Sequence, residues 1–400
     1  MKLNHLDYYR LPWNLTDNSI SWLEPTAKCN LYCDGCYRKN ENSHKTLQMI
    51  NEDLDVFTRL RKCDGVSIAG GDPLTHPDIV EIVKLVKIRG LKPVINTNGL
   101  ALTKELLAEL KKAGVYGFTF HIDSKQQRPG WKGKTELELN ELRYHYASLL
   151  AEAGNISCTF NSTIYEDTMG FVPELVKWGE KHIDIVQGMV FILYRAVNNG
   201  KVDFYLGSKK IDMSEFVYNE EVEERTDIKA EEIYELIKNE YPDFDCCAYL
   251  NGSEKPDSFK WLLCGRLGTR KKIYGYFGKK AMEIIQTFHH MFFDRYLAYS
   301  SPRYTRTGKS MLLLGLFDKG LRRTFVNFVK NPLNLFRRLH YQTIMIIQPV
   351  DFLEDGRQSM CDGCPDITVW NGQLVWSCRM EEQLKYGHNV RTYPKGFVKN

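Results

Sequence analysis

Strand-like and helix-like segments alternate at short intervals between residues 20 and 195. The helix-like segments are amphipathic, and two of them, residues 77–90 and 103–114, end on a glycine, which suits a helix C-terminus. Repeated βα units place their strands side by side in a parallel sheet. Six such units predict an α/β fold that forms a partial (β/α)6 barrel of the TIM type rather than an open nucleotide-binding sheet. The predicted strands are residues 21–27, 65–70, 92–97, 116–123, 156–164 and 183–192.

After residue 200 this alternation is lost. The sequence there predicts a helix over 228–244, a mostly helical stretch over 265–342, and a hairpin over 367–378 that turns at Asn371–Gly372. We see no internal repeat and no low-complexity tract. The predicted regions are a barrel core (1–199), a mainly helical insert (200–345, basic and aromatic from about residue 265) and a small Cys-rich region (346–400).

Composition restricts the compartment and the partners. The first twenty residues lack the apolar run of a secretory signal, and no apolar run approaches the roughly 18–20 residues that cross a bilayer. Eleven cysteines without a secretion signal indicate a reducing compartment, where thiols bind metals or stay free. We therefore expect a cytoplasmic protein. The formal net charge of +4 excludes a polyanion-binding role for the chain as a whole.

Three cysteines, Cys29, Cys33 and Cys36, follow the first predicted strand with the spacing CxxxCxxC. Three thiolates in one loop can hold three irons of a 4Fe–4S cluster and leave the fourth iron open to an external ligand. The alternatives are a zinc site or three unrelated thiols. Structural zinc sites use four ligands, and pairs of cysteines two residues apart are commoner there than a triplet. The spacing and the preceding strand favour the cluster.

An aromatic residue, Tyr37, follows the third cysteine, and the motif then resembles the signature of the radical S-adenosylmethionine (SAM) superfamily. The resemblance extends over about residues 20–195. Gly70-Gly71-Asp72-Pro73, after the second strand, resembles the GGE motif whose backbone holds the amino group of SAM, with Asp72 in place of the usual glutamate. The resemblance implies a SAM-binding set of Gly70, Gly71, Asp72, Asn96, Asn98, His121, Asp123, Ser124 and Asn161, with Gln187–Val190 near the adenine.

The polar members of this set follow the predicted strands in order. In βα barrels the chemistry collects at the C-terminal ends of the strands, which is where these residues are expected. Taken singly, each is uninformative: Gly70–Gly71 is an ordinary turn, and a lone histidine such as His121 is more often packed in a core. Their order along the chain carries the interpretation.

The resemblance also implies a reaction. In this family SAM binds the open iron. One electron from the reduced cluster cleaves SAM to methionine and a 5′-deoxyadenosyl radical. This radical abstracts hydrogen from an unactivated C–H bond. The cofactor supplies the chemistry, while the protein orients the substrate and excludes water. An electron donor such as flavodoxin or ferredoxin is implied as a partner. No single residue is predicted as catalytic.

A second group of cysteines lies near the C-terminus, where the predicted hairpin brings Cys378 back towards Cys361 and Cys364. Such a group fits a second 4Fe–4S cluster, a structural zinc ion or no metal, and we favour the cluster. The region resembles, in shortened form, the auxiliary-cluster modules called twitch and SPASM. The candidates for a fourth ligand are Cys264 and, as alternatives, Cys246 and Cys247.

Residues 265–342 contain 16 Lys and Arg against 3 Asp and Glu, so the rest of the chain is net negative. Residues 310–339 interleave these basic residues with Leu, Phe and Val, a pattern of helices that lie in a membrane interface. An amphipathic helix packed on the core with a solvated basic face is the interpretation we favour. Nucleic acid is disfavoured because no known binding module is present. Asp318, Gly320 and Pro332 argue against one uninterrupted helix.

The leading hypothesis is a radical SAM enzyme acting on a large or amphipathic substrate, which includes a lipid. A maturase or oxidase acting on a peptide or small molecule is the alternative. A non-enzymatic metal scaffold and a cobalamin-dependent methyltransferase are both disfavoured, the first by the intact SAM-binding set and the second by the absence of a cobalamin-binding region before the barrel. Substrate identity and oligomeric state are not predicted.

Overall fold

The computed structural model describes residues 3–195, 202–213, 216, 225–299, 302 and 308–396. The α-helices in these ranges are α1 (Leu47–Leu60), α2 (Ile79–Ile88), α3 (Lys104–Ala113), α4 (Asn140–Ala153), α5 (Val172–Lys181), α6 (Ala230–Glu240), α7 (Lys279–Phe293), α8 (Gly308–Met311), α9 (Lys319–Val329) and α10 (Met380–Tyr386). The strands in these ranges are β1 (Tyr9–Arg10), β2 (Ile20–Thr26), β3 (Gly65–Gly70), β4 (Lys92–Thr97), β5 (Gly117–His121), β6 (Ser157–Ile164), β7 (Gly188–Leu193), β8 (Val202–Leu206), β9 (Lys209–Ile211), β10 (Ala248–Leu250), β11 (Trp261–Thr269), β12 (Lys272–Tyr276), β13 (His340–Ile347), β14 (Asp351–Phe352), β15 (Gln358–Ser359), β16 (Ile367–Trp370), β17 (Gln373–Trp376) and β18 (Arg391–Pro394). Within the same ranges, no helix is both long enough and apolar enough to cross a bilayer.

A parallel sheet forms the centre of the molecule. Strands β2 to β7 lie in chain order, each hydrogen-bonded in parallel to the next, and one of the helices α1 to α5 connects each pair. This arrangement confirms the predicted series of six βα units and the α/β fold class. The sixth strand begins at Gly188 rather than residue 183, because the backbone N–H groups of Ile185 and Val186 still bond to the carbonyl of His182 at the end of α5.

Alternation along the strands separates a lumen from the outer helices. Phe120 on β5 is fully buried in the core cluster that contains the residues of the outer helices. Its neighbours Thr119 and His121 therefore point to the opposite face, into the barrel lumen. The same alternation turns Asn96 of β4 and Asn161 of β6 into the lumen, so the inner wall is polar near the C-terminal ends of the strands.

Four strands from the predicted helical insert extend this sheet. Strand β13 pairs in parallel with β7, β11 pairs antiparallel with β13, and β10 and β12 pair with β11. The prediction that residues 200–345 form a mainly helical region apart from the barrel is therefore wrong. Backbone groups on the outer edge of β7 need partners, and β13 supplies them from about 150 residues further along the chain, beyond the reach of local patterns. The predicted boundary at residue 345 falls inside β13.

Two further strands of the insert, β8 and β9, pair with each other, and β8 pairs with β18. The described residues between β12 and β13 are mostly helical, as predicted. Asp318 ties two of its helices together: its carboxylate accepts hydrogen bonds from the backbone N–H groups of Gly278 and Ala281, both 3.0 Å away, at the start of α7, and of Leu321, 2.9 Å away, at the start of α9. One side chain thus caps both helices. The break predicted around Asp318 separates a short 3-10 turn (Leu312–Leu316) from α9.

The predicted C-terminal hairpin is present as β16 and β17. Its two turn residues, Asn371 and Gly372, have φ angles of 47° and 72°, the left-handed conformation that a two-residue hairpin turn requires. The hairpin packs against β2 and α1. The C-terminal region is therefore joined to the first strand of the barrel, and it brings its cysteines towards the loop that follows β2.

Candidate active site

The candidate residues lie at the C-terminal ends of the parallel strands. Strand β2 leads into the loop 27–46 with its three cysteines, which we call the cluster loop. Strand β3 ends at Gly70, before Gly71 and Asp72, and Asn98 and Asp123 follow β4 and β5 in the same way. Since parallel strands that are neighbours end at one edge, these groups surround one opening of the barrel.

Backbone contacts hold the start of the cluster loop. The amide of Asn40 closes it, because its Oδ1 accepts from the N–H of Cys29 at 2.9 Å and its Nδ2 donates to the carbonyl of Cys29 at 3.0 Å. The N–H groups of Gly71 and Asp72 donate to the carbonyls of Thr26 and Lys28, both at 2.8 Å. A Cβ atom on Gly71 would overlap the carbonyl of Lys28. The glycine therefore allows the turn after β3 to lie directly against the loop that carries Cys29.

The three thiols are partly buried and close to one another. Burial raises the pKa of Cys29, Cys33 and Cys36, and the neighbouring cysteines add to the shift at Cys29 and Cys33. Bound iron reverses this preference because its positive charge favours the thiolates. Within the described ranges, no three Cys, His, Asp or Glu side chains converge on a point where a single metal ion would sit. A 4Fe–4S cluster binds each cysteine to a different iron, so it does not require such convergence.

Asp72 has a structural role in this arrangement. It is 1% exposed, and its carboxylate accepts from the hydroxyl of Thr97 at 2.8 Å, from the N–H of Asn98 at 2.7 Å and from the N–H of Leu74 at 3.0 Å. Asp72 stands where the GGE motif has glutamate. Its carboxylate thus joins the turn after β3 to the end of β4. Asn98, held in this way, donates from Nδ2 to Asn30 of the cluster loop at 2.6 Å.

His121 lies between two partners in the barrel opening. Its Nε2 is 2.8 Å from Oδ2 of Asp123 and 3.0 Å from Oγ1 of Thr163. Burial alone would raise the pKa of Asp123, but the hydrogen bond and charge of His121 and the N–H groups of Thr163 and Lys125 outweigh it and lower the pKa. The His121 ring is therefore held at the rim of the lumen, where a third of its side chain is exposed.

Two lumen amides have atoms without hydrogen-bond partners. Nδ2 of Asn96 and Oδ1 of Asn161 are buried, and neither has a partner among the described residues. A buried polar atom of this kind costs free energy unless a bound group satisfies it. Ser124 is placed differently, because its N–H donates to Glu136 at 2.6 Å, at the mouth of the barrel and outside the lumen.

The prediction that Gln187–Val190 lie near the adenine needs correction at Gln187. Gln187 precedes β7 and so lies at the N-terminal end of the barrel, away from the cluster loop. Its Oε1 accepts from the N–H of Cys158 at 2.8 Å. The error follows from the later start of β7, which moves Gln187 out of the strand; Val190 remains within it.

Sequence reasoning missed two features near the cluster loop. Arg128 is 2% exposed, lies near Cys33, and has two nitrogen atoms, Nε and Nη1, without hydrogen-bond partners among the described residues. Tyr165 and Tyr194, which follow β6 and β7, stack with ring centroids 4.8 Å apart, and both contact Gly35 of the loop. For the two tyrosines, the signal in the sequence is their position directly after two strands.

Three of the four predicted C-terminal cysteines lie near one another. A hydrogen bond from Cys364 to Cys361 raises the pKa of Cys364 and lowers that of Cys361, and the nearby Cys378 further raises the pKa of Cys364. Cys361 and Cys364 lie on either side of Gly363, whose φ of 73° lets the chain turn sharply between them. Cys378 follows the β16–β17 hairpin, as predicted, and is exposed.

Cys264 does not join these three, so its prediction as the fourth ligand is wrong. It is fully buried on β11, in the core cluster that also holds Cys246. Cys361 packs against Trp261. The side chain of Trp261 lies on the opposite face of β11, in the hydrophobic cluster that also holds Cys247. Three residues along a strand turn a side chain to the other face, so Cys264 and Cys361 are separated by the sheet.

Side chains connect the cluster loop to the C-terminal region. Arg38 forms an ion pair with Glu24 at the end of β2, and Glu24 accepts a hydrogen bond from the hydroxyl of Ser377 at 2.8 Å. Ser377 is the neighbour of Cys378. The backbone N–H of Lys39 donates to Glu381 of α10 at 2.6 Å. The regions that carry the two groups of cysteines are thus attached to one another by polar contacts, of which that between Ser377 and Glu24 is buried.

Comparison with known proteins identifies the cysteine loop. Residues 23–128 match the model of the radical SAM superfamily. This segment of the chain is similar to the radical SAM superfamily. The match spans the cluster loop, the glycine turn and Asn98, and it ends at Arg128. A 4Fe–4S cluster and SAM are the cofactors of that superfamily.

Two curated relatives are similar to part of this chain. The AdoMet-dependent heme synthase of Methanosarcina barkeri is 36% identical over 107 residues, which are 26% of this chain and 30% of the relative. The probable GTP 3′,8-cyclase of Methanocaldococcus jannaschii is 32% identical over 103 residues, or 25% of this chain and 34% of the relative. The chain thus spans about a third of the length of these relatives.

Among solved structures, that of Streptococcus suis SuiB bound to S-adenosylmethionine is similar with 16% sequence identity and a TM-score of 0.40. The similarity covers 57% of this chain and 47% of SuiB.

Proposed function

We propose that this protein is a radical SAM enzyme whose cluster loop binds a 4Fe–4S cluster through Cys29, Cys33 and Cys36. The placement of this cysteine triplet at the C-terminal end of β2, against the glycine turn after β3, carries the proposal. When bound, the cofactors supply a 5′-deoxyadenosyl radical that removes hydrogen from an unactivated C–H bond. The protein residues hold and orient the reactants.

The polar groups around the opening fit SAM. The Gly70–Gly71 backbone lies close to the cluster loop, where it can bind the amino group of SAM. Arg128 carries unpaired N–H donors suited to the carboxylate of SAM. Asn96 and Asn161 present the unpaired amide atoms to the lumen. His121, held by Asp123, and the backbone near Ser124 lie at the rim, where ribose hydroxyls can accept or donate hydrogen bonds.

Production of 5′-deoxyadenosine tests this proposal. Anaerobically reconstituted and reduced protein is expected to convert SAM to 5′-deoxyadenosine and methionine, and the Cys29→Ala/Cys33→Ala/Cys36→Ala variant is expected to lose this activity. Cys158→Ala is the matched control, since this fully buried cysteine lies on β6 away from the loop. Equal activity in the triple variant and the wild type would refute the assignment.

The C-terminal cysteines support a second, auxiliary 4Fe–4S cluster. Cys361, Cys364 and Cys378 come together, and no fourth cysteine joins them in the described ranges. We propose that they bind three irons and that a non-cysteine ligand or the substrate completes the set. Wild type is then expected to hold about eight irons, and the loop variant about four. Four irons falling to none would assign zinc or free thiols to the C-terminal group.

The substrate is proposed as a large or amphipathic molecule, which includes a lipid. The alternative is a peptide or small molecule. A cavity of about 530 Å³ beside the cluster loop favours this alternative. It lies between the loop and the C-terminal region, and its wall combines the ion pair of Arg38 and Glu24 with the aromatic rings of Phe216 and Trp370. Such mixed walls suit a polar ligand with an aromatic or aliphatic part.

Substrate pools distinguish these classes. Peptide, small-molecule and lipid fractions are incubated with reduced enzyme and SAM, and each is examined by mass spectrometry for a change that depends on SAM. A change confined to lipid would support the leading proposal, and one confined to peptides or small molecules would support the alternative. The reaction needs an electron donor, such as flavodoxin or ferredoxin, and a reducing compartment such as the cytoplasm.

A further inference from the structure

Large apolar side chains are exposed on the helical part of the insert. They belong to the C-terminal end of α7, the 3-10 turn before α9, α9 itself and the 3-10 turn Pro332–Phe336 after it. Several are more exposed than buried, including Phe292 at 70%, Leu316 at 75% and Phe336 at 90%. We call this surface the basic apolar face; its apolar members are Phe288, Met291, Phe292, Phe293, Leu313, Leu316, Phe317, Phe325, Val326, Leu333, Leu335 and Phe336.

The basic apolar face lies towards the N-terminal ends of the barrel strands. His290 of α7 pairs with Asp17, which precedes β2, at 2.7 Å. Asp294, directly after α7, pairs with Lys62, which precedes β3, at 2.6 Å. At the other side, the N–H of Gly308 donates to the carbonyl of Leu339, directly before β13. The cluster loop is at the opposite end of the same strands.

The part of this face formed by residues 308–339 is almost entirely positive in charge. Residues 308–339 contain seven Lys and Arg residues, all exposed, and one acidic residue, Asp318. Asp318 is 2% exposed, and its carboxylate is used to cap α7 and α9. The exposed basic side chains are Lys309, Lys319, Arg322, Arg323, Lys330, Arg337 and Arg338.

We propose that the basic apolar face docks on the surface of an anionic lipid bilayer. Exposed Leu and Phe side chains enter the boundary between headgroups and acyl chains, while Lys and Arg bind the anionic headgroups. This combination separates a bilayer from the other partners. A second copy of this chain would bring the same positive face against itself, and a nucleic acid would leave the exposed leucines without apolar contacts.

The orientation follows from the position of the face. Docking at the N-terminal end of the barrel leaves the cluster loop and its opening on the side away from the bilayer. The surface then anchors the enzyme and leaves its site accessible from the aqueous side, so a substrate is not drawn directly out of the same membrane. This inference does not depend on SAM cleavage or on the substrate class.

Vesicle cosedimentation of the reconstituted full-length protein tests the proposal. Wild type is expected to sediment with vesicles of equimolar phosphatidylcholine and phosphatidylglycerol, and to stay in solution with phosphatidylcholine alone. Phe292→Ser/Leu316→Ser/Phe336→Ser and Lys319→Glu/Arg323→Glu/Arg338→Glu are each expected to weaken binding by about tenfold or more. Tyr144→Ser, at an exposed tyrosine of α4 outside the face, is the matched control.

Iron content and 5′-deoxyadenosine formation are measured on the same samples and are expected to be unchanged in all variants, so failure of docking is distinguished from failure of the catalytic proposal. Equal binding to both kinds of vesicle, or no binding to either, would overturn the inference. So would a dimer, seen by light scattering, that the serine variant dissociates. Binding to duplex DNA at physiological salt that the glutamate variant abolishes, without vesicle binding, would assign the face to nucleic acid.

Discussion

At the scale of single residues, the glycine pair after β3 acts mainly by leaving space. Gly70 has a φ of 101°, and a Cβ there would overlap the carbonyl of Thr26. Gly71 meets the carbonyl of Lys28 in the same way, so both residues approach the first turn of the cluster loop. A side chain at either position forces the loop away from β3, and the loop is the element that orients Cys29.

Gly71→Ala is therefore expected to lose the iron of the cluster loop while keeping the fold. The added methyl group overpacks a backbone contact, which costs about 1–3 kcal/mol, and the loop must move to relieve it. Iron per chain, 5′-deoxyadenosine formation and the midpoint of urea unfolding are the measurements.

Gly170→Ala is the control for this substitution. No atom lies within 4 Å of a Cβ at Gly170, so neither iron content nor the unfolding midpoint should change. Wild-type iron content in Gly71→Ala would show that the close approach of the turn does not position the loop.

At the scale of elements, capping decides how the insert is assembled. Thr46 caps one helix, α1, through one hydrogen bond from Met49 at 3.2 Å. Asp318 instead caps α7 and α9 together, and both helices carry the basic apolar face. The relative placement of these two helices therefore depends on one buried carboxylate.

Asp318→Ala should lower the free energy of unfolding by about 2–3 kcal/mol, because two caps of about 1 kcal/mol each are lost and buried N–H groups are left unpaired. Thr46→Ala, which removes one cap, should cost about 1 kcal/mol. Urea unfolding measures both. Equal costs for the two variants would contradict the double-cap interpretation.

At the scale of the whole molecule, one buried ionic group joins the sheet to the C-terminal region. Asp351 lies 2.7 Å from Nζ of Lys260, which precedes β11, and 3.2 Å from Nε of Arg195, which follows β7. Burial alone would raise the pKa of Asp351, but the charges of Lys260 and Arg195 lower it. Burial lowers the pKa of Lys260 despite this pairing, so the net stabilisation is smaller than the shift of Asp351 alone suggests.

Asp351→Asn should lower the free energy of unfolding at neutral pH by about 2 kcal/mol, less than the typical cost of breaking a buried pair because Asp351 is partly exposed. The folded pKa of Asp351 lies below its unfolded value near 4, so the stabilisation is present above about pH 4 and is lost as the pH falls through the folded pKa. Urea unfolding between pH 3 and 7 should show the difference between wild type and variant shrinking towards low pH.

Asp355→Asn is the comparison, because Asp355 is exposed and pairs with the exposed Arg357. No measurable change at neutral pH is expected from it. A constant difference between Asp351→Asn and wild type at every pH would show that the carboxylate charge is not the cause.

The sequence by itself determined the βα series, the resemblance to the radical SAM superfamily and the cysteine triplet, because these depend on features local to the chain. The alternation of Phe120 with His121, the spacing of Cys29, Cys33 and Cys36, and the Asn371–Gly372 turn each lie within a few consecutive residues. The hairpin after which Cys378 lies was also predicted from this turn.

Only the tertiary structure decided what depends on distant partners. Strand β13 completes the edge of β7 across a long sequence separation, and the face of β11 on which Cys264 lies separates it from the other cysteines. Arg128 has no motif of its own, and its burial near Cys33 exists only once the strands assemble. Local patterns record which backbone conformation and face a residue prefers, whereas sheet order and burial depend on which distant groups satisfy each other's hydrogen bonds and apolar surface.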